Sequence, residues 1–289
     1  QAPTPHQGPR EEAFVNHPAS ISQSTAKPPF RHVDFAPPRV DVERRPDGVM
    51  VLRSPLPLGD YERNVMVYLR RWAAEAPERV MLAERGKDKD WRRVSFGQMR
   101  QSADAIGQAL LNRGLGPDRP IMLLSGNSIE HAQLTVGALT VGVPVAPVSI
   151  AYSLMSRDHG KLKHVFDLVR PAMIFVQQGR LYESALQALN LDGVEIVAVE
   201  APPAKLKATD FADLLVTSVG PEVERAFAGV GPDTLAKILF TSGSTGMPKG
   251  VINTQRMLTA YQRMSELLTW PDPARPPVVL DWLPWNHTF

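Results

Sequence analysis

Between residues 120 and 199, short apolar runs alternate regularly with longer amphipathic stretches, and few folds accommodate that alternation. The predicted strands are residues 121–124, 143–145, 172–176 and 194–199, and the predicted helices between them are residues 128–141, 153–169 and 181–189. Strands that are separated by helices usually run parallel, because each helix carries the chain back to the starting end of the sheet. The pattern therefore predicts an α/β fold in which helices cover both faces of a parallel sheet.

The segments on either side of this alternation have a different character. Residues 1–57 are rich in proline and poor in periodic apolar spacing, which predicts an extended N-terminal arm. Residues 58–289 are expected to form part of one large domain. Before the alternation we predict a helix at 61–76, strands at 80–83 and 93–96, and a helix at 96–113 with Ser95 as its cap and Gly114 just beyond its end. After it we predict strands at 235–240 and 251–254, a helix at 255–268 and a strand at 278–281. The stretch from residue 241 onward would begin a second related subdomain.

Composition excludes several classes of protein. The 289 residues are 43% hydrophobic, which is enough for a large core. The 32 basic and 30 acidic side chains leave a formal net charge of only +2, so the chain shows no sign of a nucleic-acid or acidic-membrane surface. The chain contains no cysteine, and this excludes disulfides, thiolate nucleophiles and cysteine-based zinc sites.

The sequence indicates neither secretion nor a membrane span. Its first residues lack the basic start and apolar stretch of a signal peptide, and the charge-free run at 132–156 is interrupted by glycine and proline. We therefore expect a cytoplasmic protein with no membrane partner, while its oligomeric state stays open. No metal site is predicted either, because His159 and His164 are five residues apart and do not share a helix face.

Residues 241–250, TSGSTGMPKG, have the composition of a loop that surrounds an anion. Glycines let successive backbone N–H groups turn into one concavity, hydroxyls add donors, and Lys249 adds a positive charge, so a nucleotide polyphosphate is the expected ligand. The candidate phosphate ligands are Thr241, Ser242, Gly243, Ser244, Thr245, Gly246 and Lys249. A flexible Gly/Ser linker is the alternative, but the predicted strands on both sides argue against it. The segment is not a Walker A motif, since Pro248 stands where the second glycine is expected.

TSGSTGMPKG followed by valine resembles the phosphate-loop signature of the adenylate-forming superfamily, which includes acyl-CoA synthetases, luciferases and the adenylation domains of peptide synthetases. Two further segments resemble the family in the same order, WRRVSF at 91–96 and GALTVGVPVAP at 137–147 followed by AYS. The last residues, DWLPWNHTF at 281–289, resemble the next family motif, whose histidine falls at His287. Together with LSGNSIEH at 124–131, APVS at 146–149 and AYSL at 151–154, this ending is similar to the feruloyl-CoA synthetase group.

The resemblance implies an ATP-dependent ligase for an aromatic carboxylic acid, such as ferulate or another hydroxycinnamate. Such an enzyme forms an acyl adenylate and then a coenzyme A thioester, with release of pyrophosphate and AMP. ATP, Mg²⁺ and coenzyme A are the implied cofactors and partners. Lys249 and His287 would be catalytic, the loop from Thr241 would hold the β- and γ-phosphates, and His287 would also contact the acid. The later family motifs have no counterpart here, so the resemblance further implies an N-terminal fragment without the C-terminal domain.

Several alternatives stay open at this point. Without other context, a lone histidine such as His287 is more often structural than catalytic. The same phosphate loop serves adenylation domains that load a carrier protein instead of coenzyme A, and a chain without the later motifs could be a nucleotide-binding module without turnover. Trp285 and Asn286 replace the Phe or Met-Phe pair of many relatives, which bears on the acid pocket. Asn127 is expected to cap the following helix or to set a turn.

Overall fold

The computed structural model describes residues 35–36, 39–241, 246–268 and 276–287. In chain order the strands are β1 (Asp41–Arg44), β2 (Met50–Arg53), β3 (Val80–Arg85), β4 (Trp91–Ser95), β5 (Ile121–Leu124), β6 (Val145–Pro147), β7 (Met173–Gln178), β8 (Glu195–Glu200), β9 (Thr209–Asp210), β10 (Leu235–Thr241) and β11 (Lys249–Thr254). The helices are α1 (Met66–Glu75), α2 (Phe96–Asn112), α3 (Ile129–Thr140), α4 (Ile150–Leu154), α5 (Gly160–Val169), α6 (Gly179–Gln187), α7 (Phe211–Leu215), α8 (Glu222–Gly229) and α9 (Gln255–Leu268).

Seven strands form one sheet in the order β11-β10-β6-β5-β7-β8-β9, in which only β10 and β11 pair antiparallel. β5 lies in the middle, where Ile121 pairs with Val145 of β6 and with Met173 of β7. The predicted α/β fold with a parallel sheet is confirmed. β11, which was expected to belong to the start of a second subdomain, instead extends this same sheet, because it pairs with β10 and Lys237 of β10 pairs in parallel with Val145.

Side chains of the parallel strands are buried on both faces of the sheet. Those of Ile121 and Leu123 join α2, α3 and α7 in one hydrophobic core, and those of Met122 and Leu124 join α5 and α6 in the other. Helices therefore cover both faces, as the sequence predicts. This double coverage explains why the strands are continuous apolar runs, since no face of them meets water.

Helix α3 starts beside the end of β5, and side chains fix that start. Ser128 is its N-cap residue, and the Ser128 hydroxyl accepts a hydrogen bond of 3.0 Å from the backbone N–H of His131. Farther along, Gly137 allows a close approach to α2, because a Cβ at that position would lie only 2.5 Å from Cγ2 of Ile106. Helix α2 begins at its predicted cap, Ser95, in a capping box with Gln98. Local hydrogen bonds thus set the starts of α2 and α3, and close packing at Gly137 brings the two helices together.

One helix predicted from the sequence is divided in two. The stretch at 153–169 contains the end of α4, a break, and then α5. In the break, the Ser156 hydroxyl accepts a hydrogen bond from the backbone N–H of His159, and the Asp158 carboxylate accepts one from that of Gly160. Such short polar side chains compete with the helical backbone for its hydrogen bonds. His159 adopts a left-handed conformation with φ of 53°, which separates the two helices.

Other boundaries also differ from the predictions. β1 and β2 form an antiparallel hairpin within the region expected to be an extended arm, and residues 1–34 and 37–38 of that arm lie outside the described residues. The helix expected from residue 61 begins at Met66. Residues 276–282 form neither a helix nor a strand, although a strand was predicted at 278–281, because an apolar run becomes a strand only where another strand pairs with it. In the described ranges, no helix combines the length and the apolar character needed to cross a bilayer.

Candidate functional site

The carboxyl ends of β10, β6 and β5 lie side by side at one edge of the sheet. Neighbouring strands are about 4.8 Å apart, so the chain leaving β10 is about 10 Å from the chain leaving β5. We call this region, marked by Thr241, Val148 and Ser125 at or just after the three strand ends, the carboxyl edge. In open parallel sheets, ligands bind in the crevice outside the carboxyl ends of the strands, which makes this edge the candidate site.

Two paired strands hold the predicted phosphate loop at this edge. Thr241, the last residue of β10, pairs with Lys249, the first residue of β11, and Phe240 pairs with Gly250. Gly246 and Lys249 are exposed to solvent. Of the candidate phosphate ligands, Ser242, Gly243, Ser244 and Thr245 lie outside the described residues. Both ends of the loop are therefore fixed by backbone pairing, and a flexible linker is excluded for these ends.

A histidine from another helix supports the downstream end of the loop. His164 lies on α5, and its Nε2 atom donates a hydrogen bond of 3.0 Å to the backbone carbonyl of Pro248, whose ring is buried. Close packing adds to this contact, because a Cβ on Gly250 would lie 3.1 Å from Ile238 and 3.6 Å from Leu168 of α5. The strand that begins with Lys249 is thus attached to α5 as well as to β10.

Residues 281–287, which we call the histidine segment, fold into a compact turn. Both oxygens of the Asp281 carboxylate accept hydrogen bonds within the segment, one from the backbone N–H of Leu283 at 3.0 Å and one from the indole Nε1 of Trp285 at 2.7 Å. The backbone N–H of His287 donates to the carbonyl of Pro284 at 3.0 Å. The segment therefore has a defined internal geometry.

The histidine segment is attached to the ends of β5 and β6. Asn127, which follows β5, donates from Nδ2 to the carbonyl of Leu283 at 2.7 Å and accepts at Oδ1 from the backbone N–H of Trp285 at 2.9 Å. Asn286 donates from Nδ2 to the carbonyl of Val148, which follows β6, at 3.4 Å. The segment that carries the exposed His287 and the loop end that carries Lys249 thus lie at the same edge of the sheet.

A buried histidine forms the surface on which Trp285 packs. The rings of His131 and Trp285 meet edge to face, with centroids 5.3 Å apart and an interplanar angle of 84°. Nδ1 of His131 lies 2.8 Å from the Ser125 hydroxyl and 3.2 Å from the carbonyl of Gly126. Burial lowers the pKa of His131 to about 4, the carbonyl of Gly126 acts against that effect, and the positive charge of Lys237 adds to it. The imidazole is therefore neutral at pH 7.

Comparison with known proteins identifies the family. The family description "AMP-binding enzyme" matches residues 69–289, which is most of the chain. This chain belongs to the AMP-binding enzyme family. The resemblance to the adenylate-forming superfamily is thereby confirmed, although the feruloyl-CoA synthetase group within it stays a prediction.

Individual relatives of this AMP-binding chain are distant. It is 28% identical over 159 residues to nonribosomal peptide synthetase 32 of Fusarium pseudograminearum, and this match covers 55% of this chain and 2% of that protein. It is 25% identical over 168 residues to the sulfoacetate–CoA ligase of Cupriavidus necator, and this match covers 58% of this chain and 30% of that protein. The chain spans less than a third of the length of either relative.

The fold of the AMP-binding chain has solved counterparts. A crystal structure of a Brucella canis acyl-CoA synthetase matches with a TM-score of 0.54 at 17% identity, and the match covers 73% of this chain and 37% of that one. At this level of identity the likeness concerns the fold alone. It agrees with the parallel sheet and its covering helices.

The described residues do not form a magnesium site of their own. Among them, no three histidine or acidic side chains lie close enough together to hold a metal ion. Asp281, an acidic residue of the histidine segment, already accepts hydrogen bonds at both carboxylate oxygens. Mg²⁺ in nucleotide sites often relies on phosphate oxygens and only one or two carboxylates, so it does not require a cluster of acidic side chains.

A cavity at the other end of the sheet contains none of the predicted site residues. It has a volume of about 570 Å³ and lies at the amino ends of β5, β7 and β8, where Arg119, Arg170 and Asp192 line it. These three side chains are exposed, and charges of both signs face the cavity. We therefore assign the candidate site to the carboxyl edge and not to this cavity.

Sequence reasoning missed three of the side chains that build the site. Asn127 was expected to cap a helix or set a turn, but Ser128 caps α3 and Asn127 binds the histidine segment. His164 was considered only as a metal ligand, and His131 was not singled out. All three act on backbone or rings that are distant in sequence. The presence of both LSGNSIEH and DWLPWNH in one chain could have suggested the contacts of Asn127 and His131, but no such pair of motifs marks the contact of His164.

The neutral state of His131 predicts a specific dependence of stability on pH. The folded-state pKa of about 4 lies below the ordinary histidine pKa of 6.5, so the unfolded chain takes up a proton first as the pH falls. The stabilisation is therefore present above about pH 6.5 and is lost between about pH 6.5 and pH 4, with roughly 2 kcal/mol lost by pH 5.

Urea unfolding at pH 7 and pH 5 checks this prediction. Between these two pH values, the free energy of unfolding of the wild type should fall by about 2 kcal/mol more than that of His131→Gln, which has no titratable group at this position. Equal losses in the two proteins would show that folding leaves the pKa of His131 at its ordinary value, and would contradict the burial of a neutral imidazole.

Proposed function

We propose that this chain belongs to an enzyme that activates a carboxylic acid with ATP to give an acyl adenylate and pyrophosphate. The observation that carries the proposal is the common position of the phosphate-loop ends and the histidine segment at the carboxyl edge. Membership of the AMP-binding enzyme family supports it. The loop end and the histidine segment come from parts of the chain separated by some thirty residues, and each is attached to the sheet independently.

In the first step, a carboxylate oxygen of the acid attacks the α-phosphorus of ATP. A new P–O bond forms, the bond between the α-phosphorus and the bridging oxygen to the β-phosphate breaks, and pyrophosphate leaves with its electron pair. Lys249 would supply a positive charge to the β- and γ-phosphates, and Thr241 a hydroxyl. Ser242, Gly243, Ser244, Thr245 and Gly246 stay proposed phosphate ligands on the strength of the motif.

His287 would act where the acid meets the α-phosphate, and not at the β- and γ-phosphates. As an exposed side chain on a segment attached to β5 and β6, it could donate a hydrogen bond to an α-phosphate oxygen or to the acid. Negative charge is redistributed over these oxygens as the leaving group departs, so a fixed donor there lowers the barrier. The chain needs no covalent intermediate for this chemistry, which suits a sequence without cysteine.

In the second step, the thiol of coenzyme A would attack the acyl carbonyl, and AMP would leave as the thioester forms. The motifs at 124–131 and 281–289 favour an aromatic acid of the hydroxycinnamate type, such as ferulate. Mg²⁺ would share the charge of the phosphates when bound.

Because ATP and coenzyme A are cytoplasmic metabolites, the cytoplasm is the proposed location. Loading of a carrier protein is the second candidate, favoured by the likeness to a nonribosomal peptide synthetase.

Substitution of Lys249 tests the role of the phosphate loop. In the full-length protein, Lys249→Ala should lower the rate of acid-dependent ATP–pyrophosphate exchange about a hundredfold, because it removes the one side-chain charge at the loop end. The matched control is Lys205→Ala. Lys205 is also exposed, and it lies in the connection between β8 and β9, at the opposite end of the strand order from β10 and β11. An unchanged exchange rate in Lys249→Ala would remove this residue from the mechanism.

A screen of acids tests the substrate class. Pyrophosphate release by the full-length protein should be at least about tenfold more efficient with ferulate and related hydroxycinnamates than with straight-chain aliphatic acids or sulfoacetate. Thioester should then accumulate when coenzyme A is added. A preference for an aliphatic acid would contradict the aromatic assignment, and adenylate that coenzyme A does not consume would favour carrier loading.

A further inference from the structure

The side chain of Asn127 bridges two backbone groups on either side of Pro284. It gives a hydrogen bond to the carbonyl of Leu283 and receives one from the N–H of Trp285, at 2.7 Å and 2.9 Å. Proline has no N–H, so the chain around it cannot form a regular ladder with a neighbouring strand. Asn127 satisfies the backbone groups that flank this interruption.

The bridge uses both ends of one carboxamide. A primary amide presents a donor and an acceptor side by side, and the two backbone groups it meets are one acceptor and one donor. An aspartate of the same shape would keep the acceptor for Trp285 but would place a negative oxygen against the carbonyl of Leu283. An alanine would remove both contacts. The bridge thus needs both the donor and the acceptor of the asparagine carboxamide.

Asn127 is itself held by a rigid part of the fold. It lies between the end of β5 and Ser128, the cap of α3. His131, one turn into α3, is buried and bonded to Ser125, and its ring supports Trp285. The histidine segment therefore rests on the turn between β5 and α3 through one side-chain bridge and one ring contact.

We propose that Asn127 is a positioning residue that sets the place of His287 at the carboxyl edge. This inference rests on the proposed function, since it matters for catalysis only if His287 acts on the phosphate or the acid. Asn127 holds the backbone two residues before His287, and a longer contact from Asn286 to Val148 at 3.4 Å also attaches the segment to the sheet. Displacement of a reacting group by about 1 Å can cost a hundredfold in rate.

The test compares Asn127→Ala and Asn127→Asp with Asn190→Ala in the full-length protein. Asn190 is the matched control, because its Oδ1 accepts a hydrogen bond from the backbone N–H of Asp192 in a turn at the amino end of β8. Two measurements are made on each variant: the hydrogen–deuterium exchange of the Trp285 amide, and kcat and KM for acid-dependent ATP–pyrophosphate exchange.

We expect the Trp285 amide of Asn127→Ala to exchange about tenfold faster, with the amides of β5 and α3 unchanged. We also expect kcat to fall about tenfold while KM for ATP changes by less than about twofold, since the phosphate loop is attached independently. Asn127→Asp should fall between wild type and Asn127→Ala in amide exchange, because it keeps the acceptor for Trp285. Asn190→Ala should match wild type in both measurements.

Two results would overturn the inference. An unchanged Trp285 amide in Asn127→Ala would show that the bridge does not hold the segment. Faster amide exchange with an unchanged kcat would show that the bridge does not serve catalysis. A wild-type protein without acid-dependent exchange for any acid would instead contradict the proposed function, and amide exchange would still decide whether Asn127 holds the segment.

Discussion

The parallel pairing of β10 with β6 is the contact on which the site depends. It begins at Lys237 and Val145, and β6 in turn pairs with β5 at Ile121. Parallel strands end at the same edge, so this pairing brings the loop after Thr241 beside the chain that leaves β6 and β5. If β10 began a separate sheet, the phosphate loop and the histidine segment would have no edge in common.

Polar side chains from well-packed elements then fix the exposed backbone at this edge. His164 reaches from α5 to the carbonyl of Pro248, and Asn127 reaches from the start of α3 to the backbone around Pro284. In both cases a side chain completes hydrogen bonding where proline interrupts it. The neutral imidazole of His131 adds a ring contact without placing a charge beside the candidate site. Positioning of this kind suits a reaction that relies on geometry and charge and not on covalent catalysis.

Much of this architecture could be predicted from the sequence, for identifiable reasons. The runs around Ile121 and Met173 are apolar throughout because helices cover both faces, and Ser95 marks a helix start through local hydrogen bonds. Such signals lie within a few residues of the elements they specify. The loop at 241–250 was visible for the same reason, since its glycines, hydroxyls and lysine are adjacent in the chain.

The remaining features depend on contacts between distant residues. Strand order is set by packing, so the sequence did not show that β10 joins the central sheet. Asn127 lies 156 residues before Leu283, and His164 lies 84 residues before Pro248, so neither contact leaves a local pattern. The break between α4 and α5 is different, because it does leave a local signal: residues 156–161 carry no apolar side chain, and Ser156 and Asp158 redirect the backbone there.

A crystal structure of the full-length protein with a non-hydrolysable ATP analogue tests the central claim most directly. We predict that the triphosphate lies at the carboxyl edge, with its β- and γ-phosphates in the loop between Thr241 and Lys249 and its α-phosphate toward the histidine segment. A triphosphate bound at the amino ends of the strands, against Arg119 and Arg170, would contradict the account.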